Sequence, residues 1–307
     1  MSVAVPQPTP SKLALSLRAT RPLYLPTSVL PALAGALVAI NAPGADWALL
    51  PIVLLATLLV HAAVDITNEV EDAANGVDSP DKMDNSRVFS TGLMTVGEGR
   101  RLYAAAFAAA LALGLVLCAM QTWWLLAYGL AGILGGFLYT GGPRPYKYDG
   151  LGDPAITWLM GPLLTQGAYT AITGDPFHAP AFWVGLFPGL LITAVLQANN
   201  LSDIPGDAAA GVRTLAVRIG FARARVLFLL TFAATWLVLV VLWAAGLFSA
   251  WILLPLACLP IALGIARRAL AGRRSGDEAL VTLAPRTAQL HLLGTLLLAA
   301  GITLDRL

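Results

Sequence analysis

Apolar residues run through this chain in blocks of about 17 to 20, each long enough to cross roughly 30 Å of hydrocarbon as a helix. The two-residue alternation of membrane β-strands is absent, so the pattern predicts an all-α, polytopic membrane bundle. Nine spans are expected, near residues 23–41, 48–67, 102–119, 122–140, 155–173, 181–200, 226–244, 249–269 and 286–303. Gly and Pro mark the connections, as in Pro43-Gly44, Gly141-Gly142-Pro143 and Gly174-Asp175-Pro176. The turn near Met120 is short enough to make the third and fourth spans a tight hairpin. Residues 1–22 are Pro-rich and lack a signal peptide's early apolar core, so they are expected to be an uncleaved cytoplasmic tail before one transmembrane domain, 23–307.

Composition agrees with the pattern. Of 307 residues, 58% are hydrophobic and 12% charged, where a soluble domain carries about 25% charged. A net charge of +2 is uninformative about nucleic-acid binding, and no basic, aromatic cluster points to it. Cys118 and Cys258 lie in apolar blocks without metal-type spacing and read as small buried thiols. Charge also orients the spans. Of the 19 Lys and Arg residues, all but Arg306 fall in the tail, in the loops after even-numbered spans, or at the adjoining helix ends. Cytoplasmic loops carry such an excess, which predicts an N-in, C-out protein of the inner (cytoplasmic) membrane.

Acids concentrate where a membrane protein can least tolerate them. Eight of the 17 lie between Asp65 and Glu98. His61, Asp65, Asn68 and Asp72 fall on one helical face, and Gly76 should end the helix and let Asp78 turn back toward the same space. A second group closes the sixth span: Asn199, Asn200, Asp203 and Asp207. Pro205-Gly206 is expected to break that helix, so that Asp207 approaches from a bend. Both groups follow even-numbered spans and share a membrane face. Carboxylates at a membrane boundary are costly and repel one another. Bound divalent cations remove both problems, and oxygen-only donors suit Mg²⁺ with a diphosphate completing its shell. Glu71, Asp81, Asp84 and Glu98 read instead as a solvated surface.

Inner loops supply cations for such a diphosphate: Arg87, then Arg144 and Lys147, then Arg213 and Arg218. Tyr139, Tyr146 and Tyr148 could stack on an aromatic acceptor or stabilise a cation through a ring face, although interfacial tyrosines are common. His61 has Asp65 one turn away as a natural partner; a buried hydrogen bond and proton handling are both open. Nucleotide-binding glycine motifs are missing around Gly141-Gly142-Pro143.

These residues resemble the UbiA-type intramembrane aromatic prenyltransferases. Asn68-Glu69-x-x-Asp72, continuing to Gly76-Val77-Asp78, is similar to that family's first motif in the menaquinone branch, the 1,4-dihydroxy-2-naphthoate polyprenyltransferases. Tyr139-Thr-Gly-Gly-Pro, Gly150-Leu-Gly-Asp153 and Asn199-Asn200-Leu-x-Asp203-x-x-x-Asp207, running on to Arg213-Thr214-Leu215-Ala216-Val217-Arg218, resemble it as well. The resemblance implies nine helices around a central cavity, a lateral opening for a lipid tail, and Mg²⁺-dependent transfer of a polyprenyl group from a diphosphate to an aromatic acceptor. It implies that Asn68, Asp72, Asp78, Asp203 and Asp207 hold Mg²⁺-diphosphate, with Arg87, Lys147 and Arg213 on phosphate oxygens. Asp65 or Glu69 is the candidate base for the acceptor. Glu69 stands where the family has Asp, and Val212 where the menaquinone branch has Lys. Other acceptors, including a hydroxybenzoate, a homogentisate-like ring or a non-aromatic lipid, remain alternatives. So does a cation-coupled transporter, since intramembrane acids also mark ion paths.

Overall fold

A computed structural model describes residues 10–77 and 86–307; these are 77% helical, with no strand among them. The elements are α1 (Lys12–Ala19), α2 (Pro26–Leu37), α3 (Leu50–Ala74), α4 (Val96–Met120), α5 (Trp124–Thr140), α6 (Gly152–Met160) and α7 (Pro162–Thr173). There follow α8 (Ala179–Val184), α9 (Leu186–Ala209), α10 (Leu215–Ile219), α11 (Phe221–Ala244), α12 (Leu259–Ala271), α13 (Glu278–Val281) and α14 (Leu283–Arg306). Among the described residues, six helical stretches are long and apolar enough to cross a membrane: Trp47–Ala74, Val96–Met120, Ala179–Ala209, Phe221–Ala244, Ala250–Ala271 and Glu278–Arg306. The other three predicted spans take a different form. The first and fourth are the shorter apolar helices α2 and α5, and the fifth is divided between α6 and α7. The eighth begins as a 3₁₀ segment, Ala250–Cys258.

The α6–α7 break has a packing cause. At Gly161 the backbone turns to φ −112°, ψ −105°. A side chain there would overlap the carbonyls of Gly185 and Thr157, and one at Gly189 would meet the Gly161 backbone at 3.0 Å. Gly161, Gly185 and Gly189 thus let two broken helices touch backbone to backbone, as small residues do in membrane bundles. Lipid tails are as apolar as Leu, so close packing holds these helices together more than escape from water does.

Helices α9 and α14 form the centre: 56% and 50% of their most apolar stretches are buried, against 17% in α4. Phe187, Leu191, Phe228, Leu239, Leu290 and Leu298 fill that core. Peripheral α4 instead exposes Leu111, Leu115 and Val116, as a lipid-facing helix would. It pairs with α3, where Arg100 grips Glu71 through two hydrogen bonds of 3.0 and 2.8 Å and Tyr103 adds a third at 3.0 Å. Glu98 caps α4 with Thr95 and meets Lys12 at 2.6 Å. Glu71 and Glu98 are therefore structural; Asp81 and Asp84 lie outside the described residues. Cys118 and Cys258 are free and buried.

The predicted break at Pro205-Gly206 does not occur: α9 runs on to Ala209 with Pro205 inside it. Proline has no N–H for the carbonyl one turn back, which here belongs to Leu201. The Ser275 hydroxyl donates to that carbonyl instead, at 2.8 Å. Asp207 consequently stays on the helix with Asn200 and Asp203, rather than approaching from a bend.

Candidate active site

Two helix ends carry the acids, and they finish alike. Beyond α3, Gly76 adopts φ +70°, Val77 N–H donates to the Asp72 carbonyl at 2.8 Å, and Gly76 N–H donates to Ala73. Beyond α9, Gly211 adopts φ +74°, Val212 N–H donates to the Asp207 carbonyl at 2.8 Å, and Gly211 N–H donates to Ala208. These are matching Schellman endings, in which Asp72 corresponds to Asp207, Asn68 to Asp203 and Asp65 to Asn200. The Val212 that stands in place of a basic residue is buried and supplies the closing N–H. A helix C-terminus is the negative end of its dipole. Carboxylates in the last turns of two helices are thus doubly unfavourable unless cations compensate.

Both ends open on one cavity of about 390 Å³. Asp65, Asn68, Asp72, Asn199, Asn200, Asp203 and Asp207 all line it, with Tyr139, Tyr146 and Lys147 between the groups. Lys147 comes from the short 3₁₀ segment Tyr146–Asp149. Its ammonium lies 2.5 Å from Asp72 Oδ2 and 3.0 Å from Asn68 Oδ1. Tyr148 OH donates to Asp72 Oδ1 at 2.7 Å, and Thr140 Oγ1 to Asn68 Oδ1 at 2.9 Å. Tyr139 and Tyr146 meet edge to face at 5.6 Å, with Lys147 Nζ 5.8 Å from the Tyr139 ring centre. Burial raises the Tyr146 phenol's pKa, and its OH donates to the Gly135 carbonyl at 2.5 Å. Behind the second group, Gln197 Nε2 donates to Asp153 Oδ2 at 2.8 Å, tying α6 to α9.

Away from the polar end the walls turn apolar. Val53, Leu117, Leu125 and Ala171 line the cavity at the opposite ends of α3, α4, α5 and α7. The 19 steps from Val53 to Asp72 along α3 correspond to roughly 28 Å at 1.5 Å per residue. The space therefore runs about the thickness of a bilayer core, with charge at one end only.

Several residues singled out in the sequence stand elsewhere. Glu69 does not line the cavity. It is buried, and its carboxylate accepts from Ser86 Oγ at 2.5 and 2.6 Å and from Val88 N–H at 3.3 Å, pinning the loop that leads to α4. Arg87, Arg144 and Arg213 are likewise off the cavity wall; Arg144 and Arg213 are exposed. Arg218 instead reaches Asp149 at 3.3 Å. Asp78 lies outside the described residues. Conversely, Tyr24 and Ser28 line the cavity, and so does Arg21, which the sequence places in the tail. The signal for Arg21 was available: it is the last cation before the first apolar block, and Pro22 follows it. Arg21 and Lys147 are the Lys and Arg residues among the described cavity lining.

Among the described residues, no three His, Cys, Asp or Glu side chains stand close enough to hold a metal on their own. The donors nonetheless fit a hard divalent cation: all are carboxylate or amide oxygens, in two facing groups that a shared ligand would bridge.

The sequence model of the UbiA prenyltransferase family matches residues 28–302. The chain belongs to the UbiA prenyltransferase family. It is 34% identical over 295 residues to the 1,4-dihydroxy-2-naphthoate octaprenyltransferase of Mycobacterium tuberculosis, covering 94% of this chain and 96% of that one. It is 32% identical over 292 residues to mouse (Mus musculus) UbiA prenyltransferase domain-containing protein 1, covering 93% and 83%. Among solved structures, the apo UbiA homolog from Aeropyrum pernix K1 superposes with a TM-score of 0.65 at 16% identity, over 92% of this chain and 98% of that one. A UbiA homolog from Archaeoglobus fulgidus bound to GPP and Mg²⁺ gives 0.58 at 18% identity, over 92% and 99%. At these identities the two structures establish the UbiA fold for this chain.

Proposed function

We propose that this protein transfers a polyprenyl group from an allylic diphosphate to 1,4-dihydroxy-2-naphthoate, in the presence of Mg²⁺, as a step of menaquinone biosynthesis. The observation that carries this is the cavity itself: two carboxylate groups facing one another at one end, and an apolar lining about as long as a bilayer core is thick. A diphosphate suits the first end and an isoprenoid tail the second. The acceptor follows the name of the relatives, and a different ring would leave the chemistry unchanged.

In this reading Asn68, Asp72, Asp203 and Asp207 hold Mg²⁺, with Asn199 and Asn200 beside them; Asp78, outside the described residues, belongs to the same set by the motif it shares with Asn68 and Asp72. Bound there, Mg²⁺ would neutralise charge on the departing diphosphate. Lys147 leaves Asp72 and takes up phosphate oxygens, and Arg21 adds a second positive charge. The ring faces of Tyr139 and Tyr146 stabilise the allylic cation. The apolar walls keep water from quenching it before the electron-rich ring attacks. Loss of the ring carboxylate as CO₂ then restores aromaticity.

The nine-span, N-in and C-out arrangement belongs to the same proposal, as do a single transmembrane domain over 23–307 and a cytoplasm-facing site in the inner membrane. The matching endings of α3 and α9 favour it, since equivalent ends in a parallel repeat share one face. Inverted repeats, as many transporters use, would put them on opposite faces. Asp72→Ala and Asp203→Ala are the test. Each should abolish Mg²⁺-dependent turnover while the wild type leaves a water-soluble cation gradient across sealed vesicles intact. Unchanged turnover in either variant sinks the arrangement.

A further inference from the structure

The cavity wall carries a chain of three polar side chains that starts at Asp65, the innermost acid of the α3 group. His61 and Asp65 are one turn apart on α3, and Ser28 faces them from α2. Ser28 Oγ lies 2.8 Å from His61 Nδ1, and His61 Nε2 lies 3.5 Å from Asp65 Oδ2. All three residues line the cavity. His61 and Asp65 expose only 10% and 15% of their side-chain surface. Asp65 Oδ2 is fully buried and makes no hydrogen bond, so a buried carboxylate oxygen has the His61 imidazole 3.5 Å away.

Ser28 has a second acceptor in reach, the Leu25 carbonyl at 3.1 Å. That gives its hydroxyl two settings. With His61 neutral and protonated on Nε2, Ser28 donates to Nδ1. With His61 doubly protonated, Nδ1–H donates to Ser28 Oγ, and the serine hydrogen turns to Leu25. The same three residues therefore satisfy His61 in either charge state, a property that a purely structural buried histidine does not need.

We propose that Ser28, His61 and Asp65 form the proton relay of the aromatic acceptor, with Asp65 taking the proton of a ring hydroxyl and His61 sharing it. This rests on the prenyl-transfer reading above. The acceptor O–H bond breaks and an O–H bond forms on Asp65, after which the proton is shared with His61. The resulting phenolate pushes electron density to the carbon that attacks the allylic cation. When the ring carboxylate leaves as CO₂, the electron pair of its C–C bond restores the aromatic ring as a phenolate. The proton then returns to that oxygen, leaving the relay as it began. Asp65 touches the acceptor; His61 and Ser28 are positioning residues. Arg21, before α2, is a further charge acting on Asp65, and His61 in turn acts on the buried His291 of α14.

The test is steady-state turnover in nanodiscs with one allylic polyprenyl diphosphate and a series of hydroxynaphthoates graded in hydroxyl acidity. Asp65→Asn should lower kcat about 100-fold on the least acidic acceptor, the lower end of the usual range of general-base contributions, and the positioning variant His61→Gln somewhat less, about 30-fold. The deficit should shrink as acceptor acidity rises, because an already ionised hydroxyl needs no base. KM for the diphosphate should stay within about 2-fold. Ser28→Ala should lose about 5-fold with the same acidity dependence and Ser28→Thr should recover it, which keeps the relay testable if an α3 variant fails to assemble. Equal losses on every acceptor, or a raised diphosphate KM at unchanged kcat, would overturn the relay while leaving prenyl transfer intact. A wild type that prenylates no acceptor would overturn the prenyl-transfer reading itself.

Discussion

Replacing Lys147 by Met should make the protein bind a divalent cation more tightly while weakening its hold on the diphosphate. The Lys147 ammonium now sits 2.5 Å from Asp72 Oδ2 and 3.0 Å from Asn68 Oδ1. It therefore competes for the donors a metal needs. Both groups are largely buried, with 15% and 5% of their side chains exposed, so water does little to screen the contact. A hydrogen bond to a charged group contributes about 1.5–3 kcal/mol, or roughly 10- to 100-fold in a binding constant. Met keeps most of the volume and removes the charge. Mn²⁺, followed by electron paramagnetic resonance in nanodiscs without diphosphate, should bind the variant about 10- to 100-fold more tightly. The same variant should show a diphosphate KM raised by a similar factor, since the ammonium that would move to phosphate is gone. Unchanged or weaker Mn²⁺ binding would refute the idea that Lys147 occupies the cation's place.

Three further outcomes follow from the packing. Ser275→Ala leaves the Leu201 carbonyl without its donor beside Pro205, which should cost about 1 kcal/mol in detergent unfolding and raise the diphosphate KM through Asp203 and Asp207; an unchanged melting curve would contradict this. Gly189→Ala drives a methyl group into the Gly161 backbone and the Thr157 carbonyl. Overpacking of this kind costs about 1–3 kcal/mol, read as a lowered melting temperature with the Mg²⁺ dependence of the surviving fraction unaltered. Ala171→Phe plugs the apolar end of the cavity and should shift donor preference toward shorter prenyl diphosphates in competition assays, without changing Mn²⁺ binding.

The apolar blocks were legible because hydrocarbon thickness dictates their length, and the acid groups because charge at that boundary has few stable explanations. What the sequence hid is contact between distant segments. Gly161 ends a helix through its meeting with Gly185 and Gly189, 24 and 28 residues further along the chain, neighbours that no local pattern announces. Pro205 fails to break α9 because Ser275, 70 residues further along the chain, supplies the missing donor. Glu69 and Asp65 look alike as candidate bases in sequence. The loop bearing Ser86 claims Glu69, while Asp65 keeps the cavity. Likewise Arg87, Arg144, Lys147, Arg213 and Arg218 look like one set in the sequence, yet of these only Lys147 reaches the cavity, with Arg21 joining from the segment before α2.

The most direct test of prenyl transfer is mass spectrometry of products from purified protein in nanodiscs, given Mg²⁺, an allylic polyprenyl diphosphate and 1,4-dihydroxy-2-naphthoate. A prenylated, decarboxylated naphthoquinol, formed by the wild type and lost in both Asp72→Ala and Asp203→Ala, is the predicted result. Persistence of that product in either variant, or no prenylated product from the wild type with any aromatic acceptor, would contradict the account.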